Sequence, residues 1–227
     1  MGISVTEDRK LKENRGTGTH ENYKPWVKIR EFNSIGTACS YPDWKHGRMI
    51  QLLSQAELGY YLKLRWSDNV EDIREQFPLD LDTTTRIARS LGVRPMQNGR
   101  KRMITDFLVS LSNGSYIACS IEATREALKS NKRNVELHMI EYNYWKSKGI
   151  PWKVLFKEDL NPIEISNIKD IVSYYNMERV PDEIGLAKYL LAHKVITTDI
   201  CNEIDFREFV SVLKENEIWK LYSYMLD

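Results

Sequence analysis

The stretch Met103–Glu122, MITDFLVSLSNGSYIACSIE, decides how this chain folds. Apolar residues run through Ile104–Leu111 and again through Ser115–Ile121, which reads as two short strands. The dipeptide Asn113-Gly114 between them supplies the positive φ angles that a tight hairpin turn requires. Strands joined so closely run antiparallel, so Asp106 at the entry of the first lies beside Glu122 at the exit of the second. A carboxylate pair at one end of a hairpin suits a divalent cation, because hard cations take oxygen ligands. Spacing alone fits two unrelated surface acids flanking a hairpin better than a metal pair.

Upstream, Ser54-Gln55-Ala56-Glu57 is a capping box that opens a helix running to about Trp66. Its apolar residues Leu58, Tyr61, Leu62 and Leu64 recur at helical spacing. Val27-Lys28-Ile29-Arg30 alternates as a strand does, and Arg48–Leu52 is a second strand candidate. Val70–Phe77 reads as a strand ended by Pro78, and Thr83–Leu91 as a short helix closed by Gly92. The basic run Arg100-Lys101-Arg102 directly precedes the hairpin. Downstream, Asn134–Ser147 carries Val135, Leu137, Ile140, Tyr144 and Trp145, a helix with one buried face, followed by a strand at Ile150–Phe156. The sum is an α/β core built on a mixed sheet.

Residues 1–25 are polar and rich in charge and glycine, and read as an extended arm that orders only on contact. Residues 26–160 form the core domain. Asn161-Pro162 marks a change in texture, and residues 161–227 form a small C-terminal helical domain. Its helices are expected at Glu164–Tyr174, Glu183–His193 and Phe206–Glu215, the last capped by Asp205. Such a module is either a winged-helix-like or helix-turn-helix unit or a structural helical cap.

Composition excludes more than it assigns. The chain has 227 residues, 42% hydrophobic and 29% charged, ordinary for a globular protein. No apolar run approaches the length of a membrane span, and the charged N-terminus is no signal peptide. Cys39, Cys119 and Cys201 are odd in number and scattered, which suggests reduced thiols in the cytoplasm and no zinc site. The formal net charge of +1 requires any phosphate-binding surface to be local. His20, His46, His138 and His193 show no metal spacing.

A helix acid, a strand aspartate and an acid on the next strand (Glu57, Asp106, Glu122) follow the order of a restriction-endonuclease-like core. Such sites bind Mg²⁺ to polarise the scissile phosphate and to generate a nucleophilic water. For Glu57 the capping box is already a sufficient explanation. Arg100, Lys101 and Arg102 either neutralise phosphates beside the site or form a solvated basic loop. Arg74 and Glu75 either contact DNA or a partner, or make ion pairs within the fold. Tyr23, Trp26, Trp44 and Trp152 read as packing residues.

Several segments in register resemble TnsA, the endonuclease subunit of heteromeric bacterial transposases. They are Tyr23-Lys24-Pro25-Trp26, Leu53-Ser54-Gln55-Ala56-Glu57-Leu58, Asp72-Ile73-Arg74-Glu75-Gln76-Phe77-Pro78-Leu79, Thr105-Asp106-Phe107-Leu108-Val109, Tyr144-Trp145 and Ile150-Pro151-Trp152. The resemblance implies a restriction-enzyme-like, Mg²⁺-dependent (or Mn²⁺-dependent) endonuclease that nicks the 5′ ends of a transposon. It also implies double-stranded DNA, a DDE-type transposase that cuts the 3′ ends, and an AAA+ ATPase regulator as partners in a bacterial cytoplasm.

Carried over by residue, Glu57 and Asp106 fall where that family keeps its helix glutamate and strand aspartate. The family then has a polar or acidic residue, a spacer and a lysine. One register pairs Ser120 with the first position and Glu122 with the lysine. The other, preferred here because it keeps Glu122 as a metal ligand, pairs Glu122 with the first position and Thr124 with the lysine. Neither supplies the lysine. Arg125, Lys129 and Lys132 are the cations that could replace it, and an active nuclease is the leading expectation. The alternative is an inactive TnsA-like subunit that binds DNA and partners.

Overall fold

In sequence order the first unit runs α1 (Glu7–Lys12), β1 (Cys39–Pro42), β2 (Met49–Leu52), α2 (Gln55–Trp66), β3 (Val70–Pro78), α3 (Leu81–Ser90), β4 (Ile104–Leu111) and β5 (Tyr116–Glu122). It continues through α4 (Arg125–Ser130), α5 (Lys132–Ser147) and β6 (Trp152–Phe156). This is a computed structural model in which residues 6–31 and 37–226 are described. The chain divides into two compact units, Met1–Asp159 and Leu160–Asp227.

The sheet order is β3-β4-β5-β6, with the β3–β4 and β4–β5 pairs antiparallel and the β5–β6 pair parallel. A parallel partner needs a crossover, and α4 and α5 provide it. On one face Leu108 and Ala118 pack with Ile140, Tyr144 and Trp145 of α5 and with Leu79 and Ala88 from the α3 region. β1 and β2 form a separate ribbon. It is tied to β3 through Arg48, which makes two hydrogen bonds of 2.9 and 2.6 Å to the fully buried Glu75. Glu75 is therefore an internal ion-pair partner, and Arg74 is spent on Ser110 (3.3 Å) and Asp72 (3.8 Å).

The hairpin forms, with a different turn from the one expected. Only Gly114 is left-handed, at φ +80°, and Asn113 is not. Leu111 N–H donates to the Ser115 carbonyl (2.8 Å) and Gly114 N–H to the Leu111 carbonyl (2.8 Å), a three-residue loop closed by a bulge glycine. A Cβ at Gly114 would meet nothing within 4 Å, so only its backbone angle is at stake. Gly114→Ala should cost about 1 kcal/mol, read as a lowered midpoint in urea with an unchanged slope.

Two expectations for the N-terminal region are corrected. Residues 6–26 are no extended arm: Tyr23 and Trp26 are buried, and Tyr23 Oη donates to the Glu75 carbonyl at 3.0 Å. Trp26 N–H donates to the Gln76 carbonyl, and a Cβ on Gly16 would stand 2.2 Å from the Pro78 ring. Arg15, 4% exposed, grips Glu31 through two bonds of 2.7 Å. The polar composition hid a segment that carries its own counter-ions. Nor do Val27–Arg30 form a strand. Lys28 and Glu31 close a local turn (2.9 Å), and four alternating residues are too few to resist it.

The second unit is helical: α6 (Pro162–Val172), α7 (Glu183–Ala192), α8 (Phe206–Leu213) and α9 (Glu217–Tyr222). Leu186, Ala187, Leu190, Val210 and Trp219 share its core. Asp205 caps α8 through Arg207 N and Glu208 N. The β feature found here among the described residues is the parallel bridge Val180–Leu226. Among the described residues no helix is long and apolar enough to cross a membrane.

Candidate active site

Glu57 does what its capping box requires, and more. Its backbone N–H donates to Ser54 Oγ (3.1 Å) while its carboxylate accepts from Ser54 Oγ (3.0 Å) and Leu53 N (2.9 Å). A further bond of 3.0 Å comes from Gln76 Nε2. Burial is the main cause that pushes the Glu57 carboxyl up to about 6, against the pull of these donors.

Gln76 marks an irregularity in the sheet. It is left-handed at φ +50°, a conformation that costs a non-glycine residue about 1–3 kcal/mol and gathers at functional sites. Across from it, between the pairs Glu75↔Phe107 and Phe77↔Thr105, sits Asp106. Thr105 and Leu108 both reach the α5 side, Thr105 by bonds to Trp145 Nε1 (2.8 Å) and Glu141 (2.5 Å). Residues three apart on a regular strand face opposite ways, so the alternation slips between Thr105 and Leu108.

Asp106 accepts a 2.6 Å bond from Ile121 N–H. Its proton affinity is nevertheless raised well above the carboxylate range, first by burial and then by the negative charge of Glu57, with Glu141 and Glu122 adding to it. One step beyond the last β4–β5 pair, Ser120 comes abreast of Asp106. Ser120 Oγ donates to Glu141 Oε1 at 2.7 Å and accepts from Trp152 Nε1 at 3.0 Å. Glu122 Oε1 lies 2.7 Å from His138 Nε2, and His138 Nδ1 lies 3.7 Å from Glu141 Oε2.

Asp106, Ser120, Glu122, His138 and Glu141 share the wall of a cavity of about 690 Å³. Lys10, Arg100, Lys101 and Arg102 lie on the same cavity. Thus the basic run meets two of the three expected acids. Glu57, 6% exposed, is not on the wall. Thr124 caps α4 by accepting from Ala127 N (3.0 Å), and it too is off the wall. Arg125 is held by Glu158 (2.8 Å) and Asp159 (2.6 Å). Neither it nor Lys129 nor Lys132 lines the cavity, so the expected replacement cations do not reach in.

Among the described residues no three Asp, Glu, His or Cys side chains are grouped so as to hold a metal ion as they stand. The donor chemistry still fits a hard cation. Asp106 has one oxygen bound by Ile121, and burial, followed by the charge of Glu57, holds its proton affinity up, a cost that a bound cation would relieve. Asp106 and Glu57 would hold such an ion, and Glu122 would join only by leaving His138.

Three residues here escaped sequence reading: Glu141, His138 and Lys10. Only Glu141 left a signal, since it shares the buried stripe of Leu137, Ile140, Tyr144 and Trp145, where an acid needs a reason. Cys119, pushed up to about 12 by burial, is an inert thiol.

Residues 67–157, from the turn before β3 to just past β6, match the family described as TnsA-like endonuclease N terminal. The chain is 34% identical over 217 residues to the transposon Tn7 transposition protein TnsA of Escherichia coli, covering 95% of this chain and 79% of that protein.

Proposed function

From the premise that this chain belongs to the TnsA-like family of transposition endonuclease subunits, we propose that it is a metal-dependent nuclease that nicks the 5′ ends of transposon DNA. One observation carries the reading: Asp106 lines one cavity together with Glu122, Glu141 and the basic run Arg100–Arg102. Mg²⁺ or Mn²⁺, when bound, would polarise the scissile phosphate and lower the pKa of a bound water so that hydroxide is available as the nucleophile. Ionised Asp106 and Glu57 would hold the ion, Gln76 and Ser54 fix the Glu57 carboxylate, and Arg100–Arg102 draw the DNA backbone in. Of the two registers we adopt the one that sets Glu122 where the family keeps its lysine, because Ser120 lies abreast of Asp106 and Thr124 is a helix cap. Double-stranded DNA, a DDE-type transposase and an AAA+ regulator are the proposed partners, with the C-terminal unit as a docking module.

The second reading is a non-cleaving assembly subunit. It is favoured by the carboxylate at 122, which contacts His138 and supplies no cation. Reconstitution with the partner transposase on transposon-end DNA separates the two. Wild type should nick the 5′ ends in Mg²⁺, and Asp106→Ala should leave DNA and partner binding intact without nicking. Equal nicking by both would remove Asp106 from the site. No nicking by wild type in saturating Mg²⁺ or Mn²⁺, with binding intact, would establish the assembly subunit.

A further inference from the structure

The nuclease reading leaves unexplained a group of residues on the same cavity, contributed by the N-terminal segment. Lys10 lies within α1 yet is only 7% exposed, with its ammonium 5.4 Å from the centre of the Trp26 ring. The Arg102 guanidinium lies 5.7 Å from the same ring. Trp26 is 2% exposed, and its indole N–H is buried with no hydrogen-bond partner. Lys10, Trp26 and Arg102 all line the cavity that Asp106 lines.

A buried N–H without an acceptor is costly, and two cations beside it favour an anionic acceptor. Neighbouring groups offset them in part: Arg102 donates to the Leu79 carbonyl (3.2 Å) and stands 4.0 Å from Asp80, and Glu7 and Glu31 line the same cavity. Glu31 is clamped by Arg15 through two bonds of 2.7 Å. Glu7 stands 3.8 Å from Arg102 with its Oε2 unbonded, and Lys101 adds a further cation. Burial also pulls the Lys10 ammonium below its ordinary proton affinity, as expected of a cation stripped of water.

We propose that Lys10, Arg102 and the Trp26 indole N–H form a seat for a backbone phosphate of the DNA, and that Lys10 is the fixed cation which β5 lacks. This rests on the nuclease reading for its role in cleavage, though phosphate binding is testable without it. A phosphate oxygen accepts from the indole N–H and from both cations. The strand is thereby held against the Asp106 wall, and charge gathering on the scissile group meets a cation preplaced by α1.

The test uses the full chain and a mixed-sequence DNA duplex in Ca²⁺, with affinity measured across a salt series. Lys10→Met keeps the length and apolar packing over Trp26 and removes only the charge. It should reduce the slope of log affinity on log salt by about 0.9, the contribution of one phosphate contact, and Lys10→Arg should restore it. Trp26→Phe should weaken binding about tenfold with the slope unchanged, because the lost donor is neutral. In the reconstituted complex Lys10→Met should nick at least about tenfold more slowly at saturating DNA, with Lys10→Arg recovering most of the rate. A folded Lys10→Met with the wild-type slope and nicking rate would overturn the seat. If Lys10→Met does not fold, wild-type affinity in Trp26→Phe would overturn it instead. If wild type never nicks but the slopes differ as stated, the seat stands and the nuclease reading falls.

Discussion

Asp106→Asn should abolish nicking and at the same time make the protein more stable at neutral pH. The two effects have one origin. An acid whose folded proton affinity is raised keeps its proton in the native state over a pH range where the unfolded chain has lost it. Stability therefore falls as pH climbs from the unfolded carboxylate value through the raised folded value. Above both, the full penalty of a buried, crowded carboxylate is present. Glu57, pushed up to about 6 from an ordinary 4.5, carries roughly 2 kcal/mol of such penalty by itself. Asparagine keeps an oxygen to accept from Ile121 N–H and removes the charge that Glu57, Glu141 and Glu122 repel.

The expected gain is roughly 1 kcal/mol or more at pH 8, about 2–4 °C in Tm for a chain of this size, and it should vanish as pH falls toward 4. Nicking should drop roughly 10³-fold or more, since an amide cannot anchor the cation. Thermal scans across pH, paired with single-turnover rates, read both. A variant that loses stability at pH 8 would mean that the Asp106 carboxylate is already compensated in the apo protein, and the electrostatic account of the site would fail.

Much of this arrangement is legible in the sequence where local chemistry dictates it. Ser54 and Glu57 announce the start of α2 because the capping box is a contact within one turn. The β4–β5 hairpin follows from apolar runs around a glycine that the turn needs. What stayed hidden depends on residues far apart in the chain. The docking of residues 6–26 rests on Arg15 meeting Glu31 and on Trp26 meeting Gln76, neither of which periodicity reports. His138 and Glu141 become part of the site only because α5 crosses back over β5. The kink at Gln76, which lies across from Asp106 and donates to Glu57, has no signature, because glutamine rarely adopts that backbone angle. Val27–Arg30 misled for the opposite reason: a four-residue alternation is a weak local signal that a single turn overrode.

The same geometry reopens the site at position 122. Ser120 and Glu122 are two apart on β5, so their side chains share a face, and both line the cavity with Asp106. Glu122 adds negative charge beside Asp106 and, in the register proposed above, takes the place of a cation that would meet the transition state's charge. Glu122→Lys should therefore act twice in one direction. It removes a neighbour that raises the proton affinity of Asp106, and it introduces a cation on the wall of the cavity. The nicking rate should rise about tenfold, a gain of roughly 1.4 kcal/mol in transition-state stabilisation. The acid limb of the pH–rate profile should move to lower pH, because Asp106 ionises more readily. His138 loses its 2.7 Å partner in the exchange, so His138→Gln alone, which keeps Glu122 in place, should give no such acceleration. Thr124→Lys should not help either, since it removes the cap of α4 at a cost of about 1 kcal/mol and lies off the cavity wall. Single-turnover nicking across pH, with Mn²⁺ affinity measured on each variant, decides the matter. Loss of both metal affinity and nicking in Glu122→Lys would make Glu122 a ligand that leaves His138 when the ion binds, and would return the lysine position to Thr124.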